Sequence, residues 1–466
     1  MRSTGTVLAW SVVGVAFLYT GSLPVTTNDL HIYLSMGRWM VEHGALLEHE
    51  VFTWTAGGTP FVNGTWGFSL LSYLLHEAVG LYGLRLLNGV AVALAVLFVI
   101  RACLARGIDR RAAAVAGFVA WALVLQNTVV RGQTWVFPIF AGLVWLAARP
   151  RHPALALFAG VLGGALWAPL HGSFGAGVVF FALAGLGAAL DDRPGREIAT
   201  PWLICIGVAI GACLGPYGPA IWLYVLDNSA LPRERDFVEW YPPDPSTFEG
   251  MRFLVVLGGW WILAGLQRRR RPWADLLILL AFGLLGLSGT RFIAWFGLAT
   301  APALAQRLGE SMGPDRGNRL LGPLGIVLGA AWLVFIARLV QPLPQPLHRD
   351  TPVELVAALS ERGVQRLFNA PEYGGYLNWT MPSAKTSMDI RTWIFDDPTF
   401  HAYILTSRAE QRWEEGLAEV DGMLLLEAFH GQTLIPAATS SPCWELLLRD
   451  DRGAAFARTA GPPECP

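Results

Sequence analysis

"TTNDLHIYLSMGRWMVEHG", residues 26–44, follows directly on an apolar run long enough to cross a bilayer. Set on a helix that starts at Asp29, the residues His31, Ser35, Arg38 and Glu42 share one face, and Ile32, Tyr33, Met36, Trp39 and Met40 share the other. That pattern predicts a helix lying flat at a membrane interface, with Trp39 as its aromatic anchor. Arg38 and Glu42 stand one turn apart and can pair. Thr26 or Asn28 offers an N-cap, and Asp29 suits the positive end of the helix. An acid at this position has two readings: a helix start, or a group with chemistry to do. The rest of the chain decides between them.

The chain has 466 residues, of which 53% are hydrophobic and only 15% charged. Its mean hydropathy is +0.43. A soluble protein of this size carries about a quarter charged residues. The 20 Trp and 51 Gly suit membrane helices and their interfacial aromatic belts. Lys385 is the single lysine, and the arginines form no basic tract interleaved with aromatics, so nothing points to nucleic acid. Cys103, Cys205 and Cys213 fall in or beside apolar runs and read as small buried hydrophobes. Cys443 and Cys465 can pair in an oxidising compartment, although two cysteines alone do not decide it. No CxxC and no His/Cys cluster of metal-ligand spacing occurs, so the residues fix no metal and no cofactor.

Apolar runs recur at 6–24, 84–101, 112–130, 134–149, 154–170, 173–190, 199–215, 251–267, 273–289, 291–307 and 320–340. The first carries one Arg before it and no clean cleavage site after it, so it reads as an uncleaved span. Segment 66–82 is apolar but short and holds His76 and Glu77, which predicts a juxtamembrane or half-buried helix rather than a crossing. The Arg-rich loops 101–111, 149–152, 191–197, 267–271 and 307–319 all fall on one side if there are eleven spans. By the positive-inside rule that side is cytoplasmic, the N-terminus is cytoplasmic and the C-terminus is outside. The expected fold is mainly α: a polytopic transmembrane helix bundle of about eleven spans, with a small C-terminal extracytoplasmic α/β domain. Residues 1–340 form the transmembrane part with outer loop 25–83. The Pro-rich "QPLPQPLHRDTP", 341–352, is a linker, and 353–466 form the outer domain. That last stretch reads as helix 353–362, strand 364–368, a Gly-Gly corner at 374–375, strand 384–389, helix 397–412, strand 422–426, helix 431–438 and strands 443–449 and 453–458.

Ionisable residues gather at the ends of the spans that face outward. They are Arg131 in "VVRGQTW", His171 in "LWAPLHGSF", Glu239 in "VEWYPP" and Arg291 in "SGTRF". Singly, each reads as an interfacial residue that snorkels or pairs. Together with Asp29 they place two acids, a His and two Arg at one level of the membrane, where ionisable groups are costly and functional. A guanidinium fork matches the oxygens of a lipid-linked phosphate, and a carboxylate beside it can deprotonate an acceptor.

With these residues in place, the chain resembles the GT-C type glycosyltransferases, which take a sugar from a polyprenyl-phosphate carrier at the outer face of the membrane. It is most similar to a group of bacterial multi-spanning GT-C-like proteins. The likeness rests on "DLHIYLSMGRW" and "VFTWTAGGTPFVNGTWGFSLL" in the first loop. It continues in "LWAPLHGSF", "LGPYG", "VEWYPP" and "GTRFI", and in "FNAPEYGGYLNW", "MDIRTWIF" and "WELLLRDDRGAAFAR" in the tail. These stand in the same order along the whole chain. The resemblance implies that Asp29 matches the essential first-loop acid. It leaves a divalent cation open as a cofactor, because a single Asp stands where members often carry a paired acid.

The expected function is therefore transfer of a sugar from a polyprenyl-phosphate-linked donor to a glycan, lipid or protein acceptor at the outer face of the plasma membrane. Asp29 is expected to act as general base or to orient the acceptor, with Glu239 as the second catalytic acid. Arg291, Arg131 and His171 are expected to bind substrate or phosphate, as are His31 and Arg38 of the first loop. Two other classes compete. A transporter or flippase would place its polar residues at mid-membrane, where this chain is nearly bare of charge. A non-catalytic scaffold for lipid-linked polysaccharide assembly would keep the fold without turnover.

Overall fold

The structure, a computed structural model, describes residues 4–227, 238–266, 272–312, 346–410, 412–460 and 465. Contacts divide the chain into two compact units. One holds Met1–Leu23 and Leu81–Pro344; the other holds Pro24–Gly80 and Gln345–Pro466. The first loop, grouped above with residues 1–340, thus folds with the C-terminal segment.

In the first unit all ten apolar runs between residues 6 and 307 are helical, from Thr4–Ser22 to Ile293–Met312. The eleventh, 320–340, lies outside the described residues. Gly80 adopts φ 64° and ψ −173°, a left-handed backbone that only glycine takes without strain, and it breaks Trp66–Ala105 into two helices. Among the described residues two helices, Gly5–Ser22 and Trp66–Ala105, are long and apolar enough to cross a membrane, and four apolar helices are shorter. These do not establish the expected eleven spans.

The helices are built inside-out. Pro153–Trp167 exposes Leu155, Phe158, Leu162 and Leu166 along one face and turns Gly160, Gly163 and Gly164 inward. Its partner is Gly195–Ala212. A Cβ on Gly164 would stand 2.3 Å from the Val208 carbonyl, and one on Gly211 would stand 2.1 Å from that of Val161. Backbone-to-backbone packing of this kind replaces the hydrophobic drive that helices lack in lipid. The centre is aromatic: Trp167 stacks on Trp295 at 5.6 Å, with Phe137, Phe140, Phe180 and Phe181 around them.

Polar contacts mark the end of this unit that carries the Arg-rich loops 101–111, 149–152 and 191–197. Arg149 donates to the Ala105 carbonyl at 2.9 Å, Arg106 pairs with buried Asp275 at 3.5 Å, and Asp191 accepts from the Trp273 N–H at 2.9 Å.

The second unit is a five-stranded sheet with helices on both faces. Strands β1 (Arg366–Asn369), β2 (Lys385–Thr386), β3 (Gly422–Leu426), β4 (Trp444–Arg449) and β5 (Gly453–Arg458) lie in the order β2-β1-β3-β5-β4. β1 is parallel to β2 and β3, and β5 is antiparallel to β3 and β4. The first loop extends the β2 edge: the Thr386 N–H donates to the Phe52 carbonyl at 3.1 Å, and the Trp54 N–H donates to that of Thr386 at 3.0 Å. Cys443 and Cys465 form a disulfide.

Two expectations change here. Gly374 and Gly375 are no corner; they lie inside the helix Pro371–Thr380. A Cβ on Gly374 would stand 2.4 Å from the Met388 carbonyl, and one on Gly375 would stand 2.9 Å from the Ile32 nitrogen, so small residues serve close packing. The helix Thr27–His43 is not a surface helix. Its polar His31 and Ser35 are as buried as its Ile32 and Met36. It packs on Pro371–Thr380, and Arg38 donates to the Asn378 and Trp379 carbonyls at 3.0 and 3.2 Å. Arg38 thus caps the negative end of that helix instead of pairing with Glu42.

Burial of charge also joins the first loop to the tail. Arg391 is bracketed by Asp389 at 2.6 Å and Glu50 at 2.7 Å, all three side chains almost wholly buried. The rings of Phe52 and Phe61 flank the guanidinium at 5.4 and 5.5 Å. Glu50 also accepts the N–H groups of Phe52 and Thr53, each at 2.7 Å. Burial opposes the charge on Arg391, but Asp389 and Glu50 outweigh it and hold the guanidinium ionised. Arg391→Ala leaves two buried carboxylates without their cation and should destabilise this unit by about 3–5 kcal/mol. Thermal or denaturant unfolding of the purified protein measures it, and an unchanged midpoint would contradict the role.

Candidate functional site

Four loops of the first unit meet at the end away from its Arg-rich loops. Arg131 is the N-cap residue of helix Gly132–Ala147, with extended backbone. The entry is fixed by the Thr134 hydroxyl, which donates to the carbonyls of Asn127 at 2.6 Å and Val129 at 2.8 Å. Arg131 pairs with Glu239 at 2.8 Å; its side chain is 12% exposed and that of Glu239 49% exposed. The arginine is therefore part of the wall, and the carboxylate reaches it from the open side.

Glu239 sits on the 3-10 turn Val238–Trp240. The turn is held by the next loop: the Thr290 hydroxyl donates to the Glu239 carbonyl at 3.2 Å, and the Thr290 N–H donates to that of Tyr241 at 3.1 Å. The Arg291 guanidinium lies over the Trp240 ring at 4.3 Å. Two glutamines brace the arginine loops from behind. Gln133 donates to the Arg291 carbonyl at 3.2 Å and Gln126 to that of Thr290 at 2.8 Å, while Arg252 donates to the Gln126 side chain at 3.1 Å.

His171 lies between helices Pro153–Trp167 and Phe174–Leu190. Its Nδ1 receives the Ser173 N–H at 3.2 Å and stands 2.8 Å from the Ser173 hydroxyl, which itself accepts from the Trp167 indole at 3.1 Å. A ring nitrogen that accepts a backbone N–H carries no proton, so the proton is on Nε2. Burial, then the charges of Arg291 and Arg131, hold this imidazole well below its ordinary pKa, and it is neutral. For Glu239 burial opposes ionisation, but Arg131 and then Arg291 outweigh it and keep the carboxyl below the usual carboxylate range. The site thus offers two cations, one neutral N–H donor and one carboxylate.

Arg131, His171, Glu239 and Arg291, chosen from sequence, are brought together. Asp29, His31 and Arg38 belong to the other unit. Asp29 is the third residue of helix Thr27–His43, whose N-cap is Thr26. His31 is buried edge-on against Tyr376 at 5.0 Å, and Arg38 stacks on Trp379 at 4.6 Å besides its two carbonyl bonds. Packing engages both, and we assign neither a substrate contact. Ser173, Gln126, Thr290 and Trp240 were not singled out as site residues. Of these only Ser173 carried a local signal, two residues after a histidine at a helix start. Among the described residues no group of three or more His, Cys, Asp or Glu could hold a metal ion; the Asp29 side chain lies outside that statement.

No family model and no curated protein matches the sequence. Solved structures do match. The Archaeoglobus fulgidus oligosaccharyltransferase, tethered with an acceptor peptide containing an NVT sequon, aligns over 100% of this chain and 75% of its own, with a TM-score of 0.61 and 12% identity. ArnT from Cupriavidus metallidurans, bound to undecaprenyl phosphate, aligns over 100% of both chains, with a TM-score of 0.55 and 13% identity. These neighbours are GT-C glycosyltransferases. The chain has the GT-C fold. The arabinofuranosyltransferase AftD from Mycobacteria shares it over 99% of this chain and 40% of its own, with a TM-score of 0.54 and 15% identity. The resemblance read from the ordered motifs is thus met by the architecture. Within the GT-C fold the arginine cluster stands on loops between helices, where a constant scaffold leaves chemistry free to vary.

Proposed function

We propose that the chain is a multi-pass membrane glycosyltransferase. It moves a sugar from a polyprenyl-phosphate-linked donor to a glycan, lipid or protein acceptor at the outer face of the plasma membrane. The observation that carries this reading is the convergence of Arg131, Arg291, Glu239 and the neutral His171 at one end of a GT-C fold. Support comes from two neighbours of the same fold, solved with dolichol-phosphate and with undecaprenyl phosphate. Exposed apolar stripes support a lipid environment. The Arg-rich loops at the opposite end support an outward-facing site, and the Cys443–Cys465 disulfide supports an oxidising compartment for the second unit.

In this reading an acceptor hydroxyl or amine attacks the anomeric carbon from the face opposite the phosphate, and the bond between that carbon and the phosphate oxygen breaks. The leaving carrier phosphate gains one negative charge, which Arg131 and Arg291 stabilise. The acceptor proton goes to a general base, the role in which the resemblance expects Asp29. Glu239 and His171 position the phosphate or the acceptor.

The test is direct. Purified protein in nanodiscs is given radiolabelled polyprenyl-phosphate sugars with membrane acceptors. Acceptor-dependent release of polyprenyl phosphate supports the assignment. Movement of intact lipid between leaflets without release would favour a flippase instead.

A further inference from the structure

Glu239 is an unusual neighbour for a phosphate-binding arginine. A carboxylate that pairs with Arg131 at 2.8 Å occupies a guanidinium hydrogen bond a phosphate would use. Its placement is built in: Thr290 holds the turn at Glu239 and Tyr241, and Arg291 lies over Trp240. Arg131 and Arg291 both act on Glu239 through their charge, so its effect extends to both cations.

Among the described residues, the other charged or titratable neighbours do not duplicate this effect. His171 is neutral, because its Nδ1 accepts the Ser173 N–H. Arg252, one hydrogen bond further out through Gln126, has Glu249 as its own electrostatic partner. Glu239 therefore subtracts one unit of positive charge from the arginine pair.

The proposed donor and its product differ in charge. A sugar on a polyprenyl phosphate is a phosphodiester with one negative charge. Once the anomeric bond breaks, the carrier is a phosphomonoester carrying close to two charges at neutral pH. A fixed carboxylate at the site repels the second charge as it repels the first, so it disfavours the product more than the donor.

We propose that Glu239 sets the charge preference of this site, favouring a singly charged phosphodiester lipid over the doubly charged phosphomonoester left after transfer, and so hastening release of the spent carrier. This rests on the donor reading above. Glu239 acts through Arg131 and is a positioning residue.

The experiment compares two probes, undecaprenyl phosphate and its methyl diester, binding to the full chain in nanodiscs at pH 8. Wild type, Glu239→Gln and Glu239→Asp are measured in parallel. In Glu239→Gln the preference for monoester over diester should rise about tenfold relative to wild type, the size expected for removing one nearby charge. Glu239→Asp, which keeps the charge, should stay near the wild-type ratio. If both lipids bind and the ratio is the same in all three proteins, the inference is overturned while the donor reading stands. If neither lipid binds wild type, the donor reading falls and the inference with it.

Discussion

Arg291→Ala should lower sugar transfer by about a hundredfold or more, the usual loss when one donor to a developing negative charge is removed. The loss should appear in kcat as well as kcat/KM, because the charge on the leaving phosphate grows only as the bond breaks. Arg291 also lies over Trp240, and its own carbonyl accepts from Gln133. Alanine keeps the carbonyl but loses the stacking. Arg291→Lys separates the contributions: it restores a charge without the planar fork, and should recover only part of the rate. Transfer at the wild-type rate in Arg291→Ala would remove Arg291 from the mechanism.

Asp29→Asn should reduce transfer by about a hundredfold to ten-thousandfold, the range for loss of a general base. The substitution keeps shape and removes the charge. Asp29 stands in the first turn of helix Thr27–His43, where a carboxylate also suits the positive helix end. That electrostatic loss is about 0.3–1 kcal/mol, so the melting temperature should move little. Activity and stability thus respond differently. A helix-start role predicts a small stability loss with full transfer; a base predicts the reverse. Full transfer by Asp29→Asn in an intact fold would contradict its assignment as base.

Much of the fold could be read from apolar run length. Runs such as 134–149 and 154–170 announce helices because long stretches of Leu, Val, Ala and Phe have no alternative in lipid. The tail was readable for another reason. Short apolar runs between turn residues, as in "DGMLLL" and "CWELLLRDDRGAAFAR", predict the strands found at Gly422–Leu426, Trp444–Arg449 and Gly453–Arg458.

What failed was any inference about which neighbour a polar face meets. In Thr27–His43 the period pointed to water on one side, but the polar side chains meet residues about 340 positions away. Arg38 meets Asn378 and Trp379, and His31 meets Tyr376. Periodicity reports which residues share a face, not what covers it. The Glu50–Arg391–Asp389 triad was invisible for the same reason: buried ion pairs leave no local pattern in sequence. The "Gly-Gly corner" was a turn signal overridden by packing, since glycines in a helix also let backbones approach.

In the candidate site, charged residues at span ends stood out because they are rare there. Arg131, His171, Glu239 and Arg291 are the ones that converge. Their supports did not stand out. Gln126 and Thr290 act through backbone and amide hydrogen bonds that any polar loop residue can offer, and only the fold selects them.

The central claim, that the Arg131–Arg291 cluster holds the phosphate of a lipid-linked sugar, is tested most directly by a cryo-EM structure of the full chain in nanodiscs with undecaprenyl phosphate. Phosphate density is expected within hydrogen-bonding reach of both guanidiniums, with the density lost in an Arg131→Gln, Arg291→Gln double variant that keeps the same fold. Phosphate density at a site remote from both arginines, unchanged in the double variant, would contradict it.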